Sequence, residues 1–416
     1  MIKKTERLAW ITLVVSLIGC VSLAIGAPLG VRYGIHHATR PLRIQLQPWQ
    51  GTVTLQTSRQ SPPVLLTDAT DVLAGSRIGL EPNAEALLLF YLPEQPETPV
   101  MSAQLYGKTD LNIIAARMPR FASSPLPYRV ALDIAHGANA QITIHTDEHS
   151  ALLEAATPHG ALELPGGIYV LSVTSERTEV AIRAGQARLY ATTADDALTL
   201  TRGQHTTLTA NGIGPITLGE RDLMRTRNGD FSQPLDSDGW TRYATAALAQ
   251  EDAGNVRQIT GERPRLIFER FGQGHAETGI RQELAQNIRG STSLQVRAQL
   301  RIDLQTLPGC GSLGTECPLM LRIHYTDVQG SSREWLQGFY AQEDSSTDTP
   351  FCIICEWKAN HIRVPLNVWY YYESPNLIPL LEAQDIQPAV INAIDIYASG
   401  HAYSSQIEEI AILIGE

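Results

Sequence analysis

The chain has no G-x-S-x-G, no H-E-x-x-H and no P-loop. The usual sequence marks of a serine hydrolase, a zinc protease and a P-loop nucleotide-binding enzyme are therefore missing. Its eleven His are scattered, as at His36/His37 and His145/His149. Glu408 and Glu409 are adjacent, so on a strand they point to opposite faces and form no acid/base pair. The sequence gives no reason to expect an enzyme. Clustered positive charge is missing as well. The first 50 residues carry +5, from Lys3, Lys4, Arg7, Arg32, Arg40 and Arg43 against Glu6, while the whole chain carries −11, so the body holds −16. Nucleic-acid binding needs clustered Lys and Arg, and an acidic body does not supply them.

Helical periodicity is absent outside one segment. Residues 8–31, LAWITLVVSLIGCVSLAIGAPLGV, run for 24 positions without a charge. About 20 apolar residues in a helix cross the hydrocarbon core of a bilayer. The reading is a transmembrane anchor with residues 1–7 as a cytoplasmic tail and the bulk of the chain extracytoplasmic. Positive residues flank both ends, so the positive-inside rule is nearly balanced. The tight grouping of Lys3, Lys4 and Arg7 favours the N-terminus inside. A second reading starts from Leu17-Ile18-Gly19-Cys20, which resembles a bacterial lipobox and would make Cys20 the lipidated residue. Against it, the apolar run continues eleven residues beyond Cys20.

The remainder reads as β structure, at the 43% hydrophobic content usual for a globular chain. Short runs alternate at period two, as in GTVTLQ (51–56), EALLLFYL (85–92), YRVALDIA (128–135), AQITIHT (140–146) and GIYVLSVTS (167–175), with Gly, Pro, Asn and Asp between them. Gly185, in RAGQAR, and Gly203, in TRGQ, lie where strands bend or turn. Residues 211–227 read as a linker. Further alternating runs follow at 293–304, 319–328 and 335–341. The expected fold is mainly β: an N-terminal transmembrane helix, one β-domain over 45–210, and a second over 228–416.

Two resemblances refine this. Thr157-Pro158-His159-Gly160, then Gly166-Gly167-Ile168-Tyr169-Val170, then Val180-Ala181-Ile182-Arg183-Ala184-Gly185-Gln186-Ala187-Arg188-Leu189 resemble, in order and spacing, the motifs of the FecR domain, over about residues 80–210. The chain departs from that family at Gly166-Gly167, where the family has G-T, and at Leu92-Pro93-Glu94-Gln95-Pro96, where the family has an L-x-D-G-S turn. Only seven residues precede the apolar segment, too few for the anti-sigma segment of FecR-type regulators. The family's signalling role is therefore not expected to carry over, and a FecR-like regulatory or sensory docking protein stands as the alternative function. In the second domain, Asn228-Gly229-Asp230-Phe231 with Gly239-Trp240, then Gly279-Ile280-Arg281-Gln282-Glu283-Leu284, and finally Ile407-Glu408-Glu409-Ile410 resemble galactose-binding-like jelly rolls, as in many carbohydrate-binding modules.

The second resemblance implies a polysaccharide or envelope partner. Exposed aromatics that stack on sugar rings would be drawn from Trp357, Tyr370, Tyr371 and Tyr372, whereas Trp240 is expected in the core. It also implies a structural calcium near the first and last strands, with Asp230 and Glu408 or Glu409 as ligands. Ser232, where the family has Glu, removes one ligand. No other cofactor is expected. Four of the five cysteines, Cys310, Cys317, Cys352 and Cys355, lie in this domain. C-x2-C is also a zinc-ligand spacing, but an exported location favours disulfides. Three connectivities are open, and ties between the 310–317 and 352–355 loops are slightly favoured.

Overall fold

The computed structural model describes residues 2–415 apart from 59, 136, 146–148, 193–196, 238, 248–249, 262, 345–349 and 356–358, with side chains described from residue 7. The chain is mainly β and divides into two compact units, Met1–Leu218 and Gly219–Glu416. An N-terminal helix, Ile2–His37, precedes the first sheets. Its Arg7–His37 stretch has a mean hydropathy of 2.4 over its most apolar window and buries none of it. The helix runs past the 8–31 segment at both ends and continues through Pro28. By length and composition it suits a membrane span or a signal sequence.

The first unit is a pair of ten-stranded sheets enclosing one apolar core. Neighbouring strands are antiparallel, except that Tyr128–Ile134 pairs in parallel with Ala151–Thr157. The glycines seen in the sequence stand where the chain changes sheets. Arg177–Ala184 lies in one sheet and Gln186–Ala191 in the other, with Gly185 between them at φ +80°. Gly203, at φ +81°, separates Ala197–Thr201 from Gln204–Thr209 in the same way. A left-handed backbone excludes most side chains, which is why glycine sits at these corners. Tyr169 braces the first corner: its buried hydroxyl lies 2.8 Å from the Pro165 carbonyl and 2.9 Å from that of Gln186.

The segment expected to be a linker carries short strands. Gly212–Ile213 and Thr217–Leu218 pair with Gln204–Thr209, and Arg221–Asp222 pairs with the last strand of the second unit. Leu223 and Met224 then join the second core.

The second unit is a β-sandwich. Its back sheet runs Asn255–Ile259, Arg265–Arg270, Tyr403–Gly415, Ser293–Gln305, Tyr370–Glu373. Its front sheet runs Trp240–Ala246, Ala276–Asn287, Pro388–Gly400, Leu319–Asp327, Ser332–Tyr340, Ile362–Arg363. A six-residue helix, Leu377–Glu382, interrupts the β pattern. Its cap is local: the Asn376 side chain accepts from the Ile378 amide at 3.1 Å.

Asn228-Gly229-Asp230-Phe231 opens this unit. The Asn228 carboxamide clasps Gln233, accepting from its N–H at 2.9 Å and donating to its carbonyl at 2.8 Å. The clasp turns Phe231 inward, where it packs 6.0 Å from Trp240 between ring centres. Trp240 is 1% exposed and donates its indole N–H to the Arg227 carbonyl at 3.2 Å. Both rings belong to the apolar core between the sheets. Trp240→Ala should cost the second unit about 3–5 kcal/mol, the range for emptying a buried aromatic site. Urea unfolding followed by near-ultraviolet circular dichroism measures it; a loss under about 1 kcal/mol would show that Trp240 does not hold this core.

Candidate functional site

The front sheet has an inner face on the core and an outer face away from it. Alternation along Leu319–Asp327 places Leu321 and Ile323 inside, and Arg322 and His324 outside. Along Pro388–Gly400 it places Ile394 and Ile396 inside, and Asp395 and Tyr397 outside. Arg281 and Arg322 both stand directly opposite Asp395, one on each neighbouring strand.

Asp395 is the centre of this face. Its side chain is 3% exposed and is surrounded by cations. Arg281 donates to Oδ1 at 3.3 Å, and Arg322 donates to Oδ2 at 3.2 Å. His324 Nε2 lies 2.8 Å from the same Oδ2, while its Nδ1 lies 3.1 Å from Glu334. With a carboxylate at each nitrogen, the imidazole is held as the cation, and its pKa is raised to about 9, chiefly by Asp395 and then by Glu334. The same contact pushes the Glu334 carboxyl down. Arg281 Nη1 is also 2.9 Å from His324 Nε2. Two donors form no bond, so the carboxylate they share is what holds both in place. Arg322 continues the network. It donates to Glu277 and to the Tyr397 hydroxyl at 2.8 Å, and its guanidinium lies 4.2 Å from the Tyr397 ring centre. Tyr243 donates to Glu277 at 2.9 Å, and burial pushes its phenol up.

Part of this face is covered. The disulfides are Cys310–Cys317 and Cys352–Cys355, local pairs rather than ties between the two loops. Within each pair the Cα atoms are 4.2 and 5.3 Å apart, both short of the roughly 7 Å beyond which a bridge requires the backbone to move. The four cysteines form one apolar cluster with Met320, Leu336, Tyr340 and Tyr397 of the front sheet. The loops are joined by packing and by the Ile353 amide, which donates to the Leu313 carbonyl at 3.4 Å, and His361 ties the first loop to the sheet. Its Nδ1 accepts from the Gly338 amide at 2.8 Å, and its Nε2 donates to the Gly314 carbonyl at 2.6 Å. Burial pushes this imidazole down, toward the neutral form that one donor and one acceptor require. Gly338 has no room for a Cβ, which would collide with Cys317 Sγ. Cys310, Cys317 and His361 are the one cluster of metal-ligating side chains among the described residues. The two sulfurs are bonded to each other, and the ring nitrogens are already engaged.

Beyond the loops the face stays open. A groove of about 470 Å³ is lined by Arg281, His324, Ser332, Arg333, Glu334 and Asn392, with Ile354 as an apolar wall. Its floor is rigid because the charged side chains hold one another.

The residues expected to stack on sugar do not form this site. Tyr371 and Tyr372 are buried in the back sheet, and Tyr370 is half-buried beside them. Tyr372 packs edge-on against Phe339, 4.9 Å between centres, so neither of its faces is free for a pyranose. Trp357 lies outside the described residues. The expected calcium ligands are each engaged by the protein in this structure. Asp230 accepts from the Ser232 amide and hydroxyl, at 3.2 and 2.9 Å, which closes its own turn. Glu408 is held by Arg263 at 2.6 Å, so a guanidinium already supplies the positive charge. No single motif marked Arg281, Arg322, His324 or Asp395. The available signal was a charge at alternate positions of apolar strands, as in LMLRIHYTD and INAIDIY.

The fold and the site define a two-unit, mainly β protein with a polar groove on one sheet. No family model matches the sequence, and no curated protein matches it. Among solved structures, a protein provisionally described as an anti-sigma factor from Parabacteroides distasonis is similar at 16% identity and a TM-score of 0.25, over 34% of this chain and 59% of that one. The family 11 carbohydrate-binding module of a Clostridium thermocellum cellulosomal cellulase gives 11% identity and a TM-score of 0.27, over 48% and 96%. A family 61 module bound to β-1,4-galactotriose gives 12% and 0.24, over 47% and 99%. Likenesses at these scores carry no functional argument.

The raised His324 pKa has a consequence for stability. A group whose folded pKa lies above its unfolded value stabilises fully below the unfolded value and ceases to as pH rises through the folded one. The second unit should lose stability between about pH 6.5 and 9. Urea midpoints measured across that range should fall in the native chain and stay level in His324→Gln. A parallel fall in both would remove His324 as the cause.

Proposed function

We propose that the chain is a membrane-anchored, extracytoplasmic, non-enzymatic protein whose second unit binds a polysaccharide of the cell envelope in the front-sheet groove. The observation that carries this reading is the groove itself, where donors and acceptors of both signs converge over a fixed floor. A saccharide offers hydroxyls that both donate and accept, so such a lining suits it, and Ile354 supplies an apolar flank for ring C–H groups. The N-terminal helix supports the anchor, and the two disulfides support an oxidising compartment. The site favours binding over catalysis. Both nitrogens of His324 are committed to carboxylates, which leaves no lone pair for a general base.

Screening the full chain in nanodiscs against a polysaccharide array tests this. The native protein should bind at least one polymer. Arg281→Gln, with unchanged near-ultraviolet circular dichroism, should weaken that binding about tenfold or more, the effect of removing a charge-assisted hydrogen bond. Binding to no polymer, with retention of an envelope protein instead, would replace the glycan reading with a protein-docking one.

A further inference from the structure

The disulfide loops do more than cover part of the front sheet. They hold apolar side chains out in water: Leu313 is 56% exposed, Phe351 47%, Ile353 60% and Ile354 63%. Leu313 lies between Cys310 and Cys317, and the two isoleucines lie between Cys352 and Cys355, with Phe351 just before. The loops adjoin: the Ile353 amide donates to the Leu313 carbonyl at 3.4 Å. Gly314, at φ +70°, packs so closely on the Phe351 carbonyl that a Cβ would collide with it. His361 ties the base of the 310–317 loop to the sheet. Four large apolar groups that would collapse inward on a flexible loop are thus kept outward by two covalent bonds and a buried imidazole.

We propose that this patch inserts into the apolar surface of a lipid bilayer. Two observations favour lipid over a protein. The patch is small, on the order of 400 Å² of exposed apolar side chain, whereas a stable protein interface takes about 800 Å² from each partner. The same chain also carries a helix long and apolar enough to cross a membrane. A tethered chain meets the bilayer at high effective concentration, so a small apolar contact suffices where free partners would need a large one. The inference rests on the anchor reading, not on the groove's ligand. Ile354 also walls the groove, so the lipid contact would set the groove close to the membrane surface.

Photo-crosslinking in the full chain, in its own membranes, separates the cases. The probe is p-benzoylphenylalanine, replacing Ile354, and separately Leu17 within the apolar helix and Asn255 on the exposed edge of the back sheet. Mass spectrometry of the adducts should find lipid at positions 354 and 17, and none at 255. Leu313→Ser with Ile353→Ser should lower the lipid adduct at 354 by about tenfold, since insertion scales with apolar area. Lipid at 17 with only protein adducts, or none, at 354 overturns the inference and leaves the anchor standing. No lipid at 17 overturns the anchor reading, and the inference falls with it.

Discussion

A carboxylate placed in the middle of an apolar strand organises the second unit. Asp395 sits between Ile394 and Ile396, on a strand with neighbours on both sides, and is almost fully buried. A lone buried charge is costly, and it stands only when cations and hydrogen bonds surround it. Arg281 and Arg322 stand directly opposite it on the two flanking strands. A slip of one residue on either strand would turn its arginine to the core face. One charge therefore fixes the register of three strands, and with it the positions of His324 and Glu334. The groove's floor is a product of that constraint.

The disulfide loops work beside this network without sharing its charges. They rest on the apolar part of the outer face, on Met320, Leu336, Tyr340 and Tyr397. Tyr397 joins the two regions, packing with the loops on one side and accepting from Arg322 on the other. Each disulfide closes a short loop, which constrains the unfolded chain less than a long-range tie would. The Ile353–Leu313 backbone bond supplies the connection that inter-loop disulfides would otherwise have made, and His361 anchors the first loop to the sheet.

Much of the architecture was legible in the sequence. The strands at 293–304, 319–328 and 335–341 reappear within a few residues, and the corner glycines sit where strands bend, because both signals are local. Trp240 was expected in the core and lies there. The site was less legible because it depends on which strands become neighbours. Asp395 and Arg322 are 73 residues apart, and nothing local to either predicts their pairing. The tyrosines at 370–372 misled for a related reason. Alternation turns one side of a strand outward, but the surrounding chain covers that side too, so Tyr371 is as buried as Tyr372. Local cysteine pairing was one of the open connectivities, but spacing alone did not select it.

A double-mutant cycle on Asp395→Asn and Arg322→Met tests the central role of Asp395. Unfolding of the second unit in urea would be measured at pH 7 for the native chain, both single variants and the double variant. The cycle should return a coupling on the order of 1–3 kcal/mol, with each single variant destabilising more than the double variant's additional loss. Additive effects, with a coupling near zero, would contradict the account: Asp395 would then not be the charge that holds this face together.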